Sequence, residues 1–263
     1  MRFGCCGSIT PKEAGKTGFE IIDTVANMGY DYIELQLVEI ARLDETAYAT
    51  LKAKLFSSPI RCEVVNVFFS GAMRLTGPEM DLGAITGYAS TALVRAAGLG
   101  CQAAVLGSGG ARKVPEGFPL DKAREQLAQV LGALGNLAQT VGITIVLEPL
   151  RQQETNIIHT VADGLALVKQ VDHPAVKLLA DHYHMLWENE DPTVLLQAAP
   201  YLRHAHIARS RERKYPTGSP TPDEAAFFAY LKQAGYQHRL SVEANTNHFA
   251  EDASAALAYL KTI

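Results

Sequence analysis

Short apolar runs alternate with amphipathic stretches from one end of the chain to the other, and this alternation restricts the fold more than any other feature. About eight runs have the length and residue types of buried strands, and a stretch with helical periodicity follows each of them. Alternating strands and helices build a parallel sheet, and eight such units are the number that closes a barrel. The sequence therefore predicts an α/β protein with a (β/α)8 TIM barrel fold, in one domain over residues 1–263.

An open, doubly wound sheet is the alternative architecture for the same alternation. It requires a glycine-rich nucleotide-binding turn after its first strand. The segment 6–11, Cys-Gly-Ser-Ile-Thr-Pro, does not have that pattern, which favours the barrel. Within the barrel, Asp121, Thr160 and Thr221 are predicted N-caps, because their side chains can accept hydrogen bonds from the first turn of a helix.

Charge and composition restrict the partners and the location of the protein. A net charge of −4 argues against a bulk attraction to nucleic acid or to an anionic membrane. No apolar stretch approaches the length of about 20 residues needed to span a bilayer, and the first residues lack the order of a signal peptide. The cysteines lack metal-binding spacing, so we expect reduced core thiols and a cytoplasmic location. They are Cys5, Cys6, Cys62 and Cys101.

Four apolar runs in the C-terminal half end at, or directly before, an ionisable residue. These residues are Glu148, Asp181, His206 and Glu243. The carboxyl ends of the strands of a barrel converge on one face, so the four side chains should meet there. Carboxylates and an imidazole together suit a hard or borderline cation. The sequence predicts one divalent metal ion, with Mn²⁺ as the first choice and Mg²⁺ or Co²⁺ as alternatives.

Each of these residues also has an ordinary structural interpretation. Glu148 and Glu243 could form salt bridges at strand ends, Asp181 could be a helix N-cap, and a histidine in an apolar strand is usually a packed core residue. Their coincidence at four strand ends favours the metal site. Glu148 and Glu243 would also lie on opposite sides of the barrel mouth, where one could remove a substrate proton and the other return it.

Two pairs of histidines lie beside these ligands. His204 and His206 share one face of a regular strand, so both are expected inside the barrel. His182 and His184 cannot both point inward if their strand continues. We expect His184 to contact the substrate or a metal ligand and His182 to be structural.

Two loops that follow strands could also reach the site. The basic loop at 209–214 is solvated in the simplest interpretation, although one of its arginines could bind a substrate oxygen. The glycine-rich segment 107–112 is either an anion-binding loop or a plain flexible loop.

Four motifs give the chain a family resemblance. They are Leu147-Glu-Pro-Leu150 with Glu154-Thr-Asn156, Asp181-x-x-His184-Met185, His204-x-His206, and Val242-Glu243. With them the chain resembles the sugar phosphate isomerase/epimerase family of xylose-isomerase-like TIM barrels, which includes D-tagatose 3-epimerase and hydroxypyruvate isomerase. The resemblance implies that Glu148, Asp181, His206 and Glu243 bind one divalent metal.

The same resemblance implies a set of substrate contacts. His184 would touch a substrate oxygen, Glu154 would belong to the substrate pocket, and Glu34 matches a glutamate that is frequent on the second strand. An arginine after the metal-binding histidine contacts substrate in the family. The loop is about one residue longer here, so alignment on Tyr215 selects Arg213, with Arg211 as the second choice.

The chain also resembles endonuclease IV, a DNA-repair enzyme of the same fold, at the four shared ligands. That enzyme adds histidines on its third and fourth strands to hold a metal cluster. Here the corresponding strands offer Asn66 and Gly107-Ser108. Together with the negative net charge, this argues against a nucleic-acid substrate.

The sequence therefore predicts a metal-dependent isomerase or epimerase of a small sugar or hydroxy-carbonyl compound. Glu148 and Glu243 would transfer a proton through a metal-stabilised enediolate. A dehydratase of a keto-sugar or keto-cyclitol is the main alternative, and a non-catalytic sugar-binding barrel is a further one. The expected partner is the small-molecule substrate, with no nucleic acid and no membrane, and the chain could form a homo-oligomer.

Overall fold

The computed structural model describes residues 1–7 and 18–263, so Ser8 to Pro11 of the turn considered above lie outside the described residues. Eight parallel strands form a closed barrel in chain order, and the last strand pairs with the first. The predicted (β/α)8 TIM barrel is confirmed. The strands are β1 (Arg2–Cys6), β2 (Tyr32–Gln36), β3 (Cys62–Asn66), β4 (Ala103–Leu106), β5 (Thr144–Leu147), β6 (Val176–Asp181), β7 (Leu202–Ile207) and β8 (Arg239–Val242).

Helices surround the barrel and cover the outward faces of the strands. Within the described residues no helix is both long and apolar enough to cross a membrane. The helices are α1 (Ile22–Met28), α2 (Leu37–Arg42), α3 (Glu45–Ser57), α4 (Leu82–Gly98), α5 (Gly109–Arg112), α6 (Leu120–Thr140), α7 (Val161–Val171), α8 (His182–Glu188), α9 (Val194–Ala198), α10 (Pro222–Gln233) and α11 (Phe249–Leu260).

The helix starts agree with the sequence at two of three predicted caps. Thr160 and Thr221 each accept a hydrogen bond from the third residue of their helix, whose acidic side chain bonds back to the cap. The prediction for Asp121 is wrong, because α6 begins at Leu120, directly after Pro119. The φ of Pro119 is −61°, which is compatible with the entry to a helix. Asp121 therefore lies in the first turn, where a carboxylate favours the positive end of the helix dipole.

Three short helices, α2, α5 and α8, were not predicted, and α2 and α8 begin directly where a strand ends. The start of α8 has a clear cause, because the Asp181 carboxylate accepts a hydrogen bond from the Tyr183 amide over 2.9 Å. Asp181 is thus both the last residue of β6 and the N-cap of α8. Strand β6 does not continue past it, so the expected conflict between His182 and His184 does not arise.

The interior of the barrel has an apolar part and a polar part. The apolar part is formed mainly by strands β3 to β6 and contains Tyr32, Val64, Ala103, Val105, Val146 and Leu179. The polar part comes from β2, β7 and β8 and contains Glu34, His204, His206 and Ser241, all fully buried. A barrel interior is usually filled by branched apolar residues. The polar part therefore needs a reason beyond packing. The four cysteines are buried and free.

Candidate metal and substrate site

The four strand-end residues meet at one place on the carboxyl edge of the barrel. Asp181 ends β6 and His206 lies in β7, while Glu148 and Glu243 directly follow β5 and β8. One ligand atom from each residue lies within 4.8 Å of those of the other three, and all four side chains are buried. The structure thus brings together the set that the sequence singled out.

His206 lies at the centre of this group. Its Nδ1 is 3.2 Å from Glu148 Oε1 and 3.1 Å from Glu243 Oε2. Its Nε2 faces the other way and is 3.0 Å from Glu34 Oε1. The ring therefore directs Nδ1 toward the carboxylates at the mouth of the barrel.

Asp181 supplies the best test of whether the group suits a cation. Its Oδ1 accepts a hydrogen bond from the Tyr183 amide, but its buried Oδ2 has no hydrogen-bond partner. A buried carboxylate oxygen that accepts no hydrogen bond is costly. The Arg213 guanidinium, 3.7 Å away, offsets that cost only through its charge, so the oxygen stays free to accept a cation. Three carboxylates and one imidazole form a donor set that fits a divalent cation with mixed oxygen and nitrogen ligands. Glu148, Asp181, His206 and Glu243 are the residues that would hold it.

The environment moves the pKa values of these side chains in different directions. Burial raises the pKa of Glu148, and it raises the pKa of Asp181 to about 7 even though Arg213 opposes the shift. Burial alone would raise the pKa of Glu243, but the positive charges of Arg213 and His206 outweigh it and lower the pKa to about 2. Burial would lower the pKa of His206, yet Glu34 and Glu243 hold it well above its ordinary value. A cation that binds here has to displace the protons retained by the side chains whose pKa values are raised.

His184 borders the group from the first turn of α8. The Arg151 amide donates a hydrogen bond to its Nδ1 over 3.3 Å, so a neutral ring carries its hydrogen on Nε2. Burial and the nearby Arg213 guanidinium lower the pKa of His184 well below its ordinary value, which keeps the ring neutral. The buried Nε2 has no hydrogen-bond partner and lies 3.4 Å from Asp181 Oδ2. It can donate to a ligand oxygen beside the cation site.

Of the two candidate arginines, Arg213 is the one that reaches the group. Its guanidinium forms an ion pair with Glu243 and lies 3.7 Å from Asp181 Oδ2. Arg211 is exposed and donates instead to Asn189 Oδ1 over 3.0 Å. The structure thus places Arg213, and not Arg211, beside the four candidate ligands.

Glu154 and Glu34 lie at different depths. Glu154 follows β5, is partly exposed, and forms an ion pair with Arg151 over 2.8 Å. Glu34 is fully buried beneath His206 in the barrel interior. His182, the histidine expected to be structural, donates from Nδ1 to the Ala208 carbonyl over 2.9 Å.

The glycine-rich segment after β4 has a role that the sequence did not reveal. A Cβ at Gly107 would overlap Glu148 Oε2, so the bare backbone leaves room for that carboxylate. Arg112, at the end of α5, is fully buried and donates to the Glu148 carbonyl over 2.8 Å. The segment therefore supports a strand-end ligand, and neither of the two interpretations considered from the sequence included that role.

Comparisons with known proteins identify a family of the same fold. Residues 22–263 match the family model of the xylose isomerase-like TIM barrel. L-ribulose 3-epimerase from Methylomonas sp. (strain DH-1) is 34% identical over 138 residues, which cover 51% of this chain and 48% of that protein. 3-dehydro-D-guloside 4-epimerase from Escherichia coli (strain K12) is 32% identical over 148 residues, or 54% of this chain and 55% of that protein. The matched region thus spans about half the length of these curated relatives.

A solved structure extends the similarity of fold to the whole chain. The structure of D-psicose 3-epimerase with D-tagatose from Clostridium cellulolyticum H10 has a TM-score of 0.90. The superposition covers 100% of this chain and 99% of that one, at 21% sequence identity. The family resemblance seen in the sequence is confirmed, and the chain belongs to the xylose isomerase-like TIM barrel family.

Proposed function

We propose that this protein is a divalent-metal-dependent epimerase of a sugar that carries a carbonyl group. The observation that carries the proposal is the meeting of Glu148, Asp181, His206 and Glu243 within 4.8 Å of one another at the barrel mouth. Mn²⁺ is the cation that we expect, because mixed carboxylate and imidazole ligation suits it.

The names of the relatives point to one class of substrate. An L-ribulose 3-epimerase inverts a carbon next to the ketone of a ketose, and a 3-dehydro-D-guloside 4-epimerase inverts a carbon next to a ring ketone. In both cases the inverted carbon bears a hydroxyl group and neighbours a carbonyl. A proton on such a carbon is acidic enough to be removed by a carboxylate when the carbonyl oxygen is polarised. We therefore expect a ketose or a keto-glycoside as substrate.

Glu148 and Glu243 are the groups that we assign to proton transfer. They follow strands β5 and β8, on different sides of the barrel mouth, and both approach His206 Nδ1. A substrate carbon held between them would have one carboxylate on each face. One glutamate removes the proton and the other returns it to the opposite face, which inverts the carbon. When bound, the cation supplies positive charge that stabilises the negative charge developing on the substrate oxygens.

Three further side chains orient the substrate in this proposal. His184 donates from Nε2 to a substrate oxygen, because its Nδ1 already accepts from the Arg151 amide. Arg213 lies against Glu243 and can donate to a neighbouring substrate hydroxyl while it keeps that carboxylate ionised. Glu154 lies at the mouth and accepts from a hydroxyl farther from the reacting carbon.

Proton NMR in deuterated water tests the proposal directly. The Mn²⁺-loaded protein is incubated with ketopentoses, ketohexoses, keto-glycosides and hydroxypyruvate, and chelator-treated protein serves as the control. Because Mn²⁺ broadens the signals, it is removed with chelator before the spectra are recorded. We expect a new epimer with deuterium on the carbon next to the carbonyl.

The other outcomes of this experiment are equally distinct. An aldose carrying deuterium would identify an isomerase, and loss of a hydroxyl group would identify a dehydratase. If no sugar in the panel exchanged a proton although the protein held its metal, the assignment of a sugar epimerase would be refuted.

A further inference from the structure

A buried hydrogen-bond network lies beneath the metal-binding group, and Glu34 on β2 is at its centre. Its carboxylate receives three contacts from polar side chains. Ser241 Oγ is 2.6 Å and His204 Nε2 is 2.8 Å from Oε2, while His206 Nε2 is 3.0 Å from Oε1. All four residues are fully buried.

The chemistry of the partners fixes the direction of each hydrogen bond. An ionised carboxylate can only accept, so Ser241 and both imidazoles donate to Glu34. The oxygen of Ser241 then accepts from the Tyr32 hydroxyl, which lies 2.8 Å away. Nδ1 of His204 has no hydrogen-bond partner, as expected for a neutral ring whose hydrogen is on Nε2. Tyr32 therefore donates to Ser241, while Ser241 and His204 donate to Glu34.

This arrangement determines how His206 meets a cation. Its Nε2 hydrogen is held by Glu34, so the lone pair that can bind a metal is on Nδ1, the atom that faces Glu148 and Glu243. A carboxylate behind a ligating histidine fixes the tautomer and the ring orientation and makes the ligand nitrogen more basic.

We propose that Glu34 is a positioning residue that acts through His206, and that the hydrogen-bond network around Glu34 tunes the site toward cations that accept nitrogen ligands, such as Mn²⁺ and Co²⁺, over Mg²⁺. The inference rests on the proposed metal-dependent function. It assigns Glu34 a role different from the substrate contact implied by the family resemblance, because Glu34 is fully buried beneath His206. A more basic imidazole strengthens binding of cations that accept nitrogen ligands more than binding of Mg²⁺, which prefers oxygen.

The test compares Glu34→Gln and Ser241→Ala with the wild-type protein and with a control. Glutamine keeps the size of Glu34, but its amide nitrogen cannot accept from an imidazole or a hydroxyl group. Glu63→Gln is the matched control, because Glu63 is a buried strand carboxylate that pairs with Arg2 and Arg239 outside the metal-binding group. Affinities for Mn²⁺ and Mg²⁺ are measured by calorimetry on the metal-free proteins. Co²⁺ binding is followed by its visible absorption spectrum, and no sugar is present.

We expect Glu34→Gln to lose about 10- to 100-fold in affinity for Mn²⁺ and Co²⁺. The loss for Mg²⁺ should be smaller, and the Co²⁺ spectrum should change because the imidazole ligand is altered. Ser241→Ala removes one of three donors, so we expect a smaller loss in the same direction. Glu63→Gln should keep wild-type affinities and the wild-type spectrum.

Wild-type affinities and an unchanged Co²⁺ spectrum in folded Glu34→Gln would overturn the inference. If that variant did not fold, a wild-type ratio of Mn²⁺ to Mg²⁺ affinity in Ser241→Ala would overturn it in the same way. These results would leave the proposed function intact as long as the wild-type protein bound Mn²⁺. Failure of the wild-type protein to bind any of the three cations would refute the metal-dependent function itself.

Discussion

The carboxylate of Glu148 packs so closely against Gly107 that a Cβ on residue 107 would overlap its Oε2. The two residues follow neighbouring strands, β4 and β5, which pair in parallel. A glycine at the end of one strand is therefore what allows the Glu148 carboxylate at the end of the next strand to lie where it does.

The substitution Gly107→Ala should displace this carboxylate without disturbing the barrel. A misplacement of about 1 Å in a catalytic site can cost about 10²-fold in rate, so we expect a loss of that order in turnover together with weaker Mn²⁺ binding. Gly110→Ala is the control in the same segment, because its Cβ would meet nothing closer than Gly71 Cα at 3.5 Å. Turnover, calorimetric Mn²⁺ affinity and thermal unfolding are measured on both. Wild-type turnover and Mn²⁺ affinity in Gly107→Ala would contradict the prediction.

Glu148→Gln and Glu243→Gln should each abolish formation of the epimer, because each variant lacks the carboxylate that removes the proton or the one that returns it to the opposite face. Glutamine keeps the size of the side chain and one oxygen that can bind a metal, but it is not a base at neutral pH. The measurement is formation of the deuterated epimer in deuterated water at saturating Mn²⁺, with bound metal determined in parallel. If both variants formed the deuterated epimer at near wild-type rates while metal-loaded, another base would have to act, and His184 would be the first candidate.

The affinity for Mn²⁺ should rise with pH. In the folded protein the pKa of Asp181 is about 7, above its ordinary 3.8, and the pKa of His206 is also raised, so a cation must displace protons from both. Below about pH 7 the affinity should fall more steeply than above it, because Asp181 then also retains its proton. Calorimetry in two buffers with different ionisation enthalpies counts the protons released. Equal affinities at pH 6 and pH 8 would rule out this linkage.

The same shift affects the stability of the protein without metal. The folded chain binds the Asp181 proton more tightly than the unfolded chain, so this residue's contribution to the free energy of unfolding falls between about pH 4 and pH 7 as the pH rises. Bound Mn²⁺ should offset this loss, because the cation stabilises the ionised carboxylate. Thermal unfolding with and without Mn²⁺ at pH 5 and pH 8 should show a larger stabilisation by the metal at pH 8.

The loop after β7 offers a paired test of the substrate contacts. Arg213→Ala should reduce turnover by about 10²-fold, because the guanidinium that orients substrate beside Glu243 is lost. Arg211→Ala should stay close to the wild-type rate, since Arg211 is exposed and its guanidinium packs on Trp187. Kinetics and metal content are measured on both variants. If Arg213→Ala kept the wild-type rate and Arg211→Ala lost turnover, our assignment of the substrate-binding arginine in this loop would be off by two residues.

The fold and the meeting of the four candidate ligands could be predicted because both follow from periodicity. Alternation of strands and helices identifies a barrel, and the carboxyl ends of its strands converge on one face. A polar residue at such an end, as at Glu148 or Glu243, is then placed by topology alone. Periodicity does not predict the position of Arg213. That prediction required a family motif to align an irregular loop.

The support for these ligands could not be predicted because it depends on depth and on local packing. The two-residue period of a strand indicates that the Glu34 side chain points into the barrel. It does not indicate the depth of the carboxylate, which lies beneath His206. Gly107 could be recognised as part of a glycine-rich segment, yet only the neighbouring strand reveals which side chain needs its space. From the sequence, helix N-cap and metal ligand are alternatives for Asp181. Periodicity does not show that its two oxygens leave room for both, since Oδ1 accepts from the Tyr183 amide at the start of α8 while Oδ2 has no hydrogen-bond partner.

A cation bound at Asp181 would be connected through this carboxylate to the helix that carries His184. Oδ1 accepts a hydrogen bond from the Tyr183 amide in the first turn of α8, and Oδ2 is buried without a hydrogen-bond partner. A cation on Oδ2 fixes the carboxylate and, with it, the anchor of the turn from which His184 reaches a sugar. Metal and sugar should consequently bind with positive cooperativity, each raising the affinity for the other by the same factor.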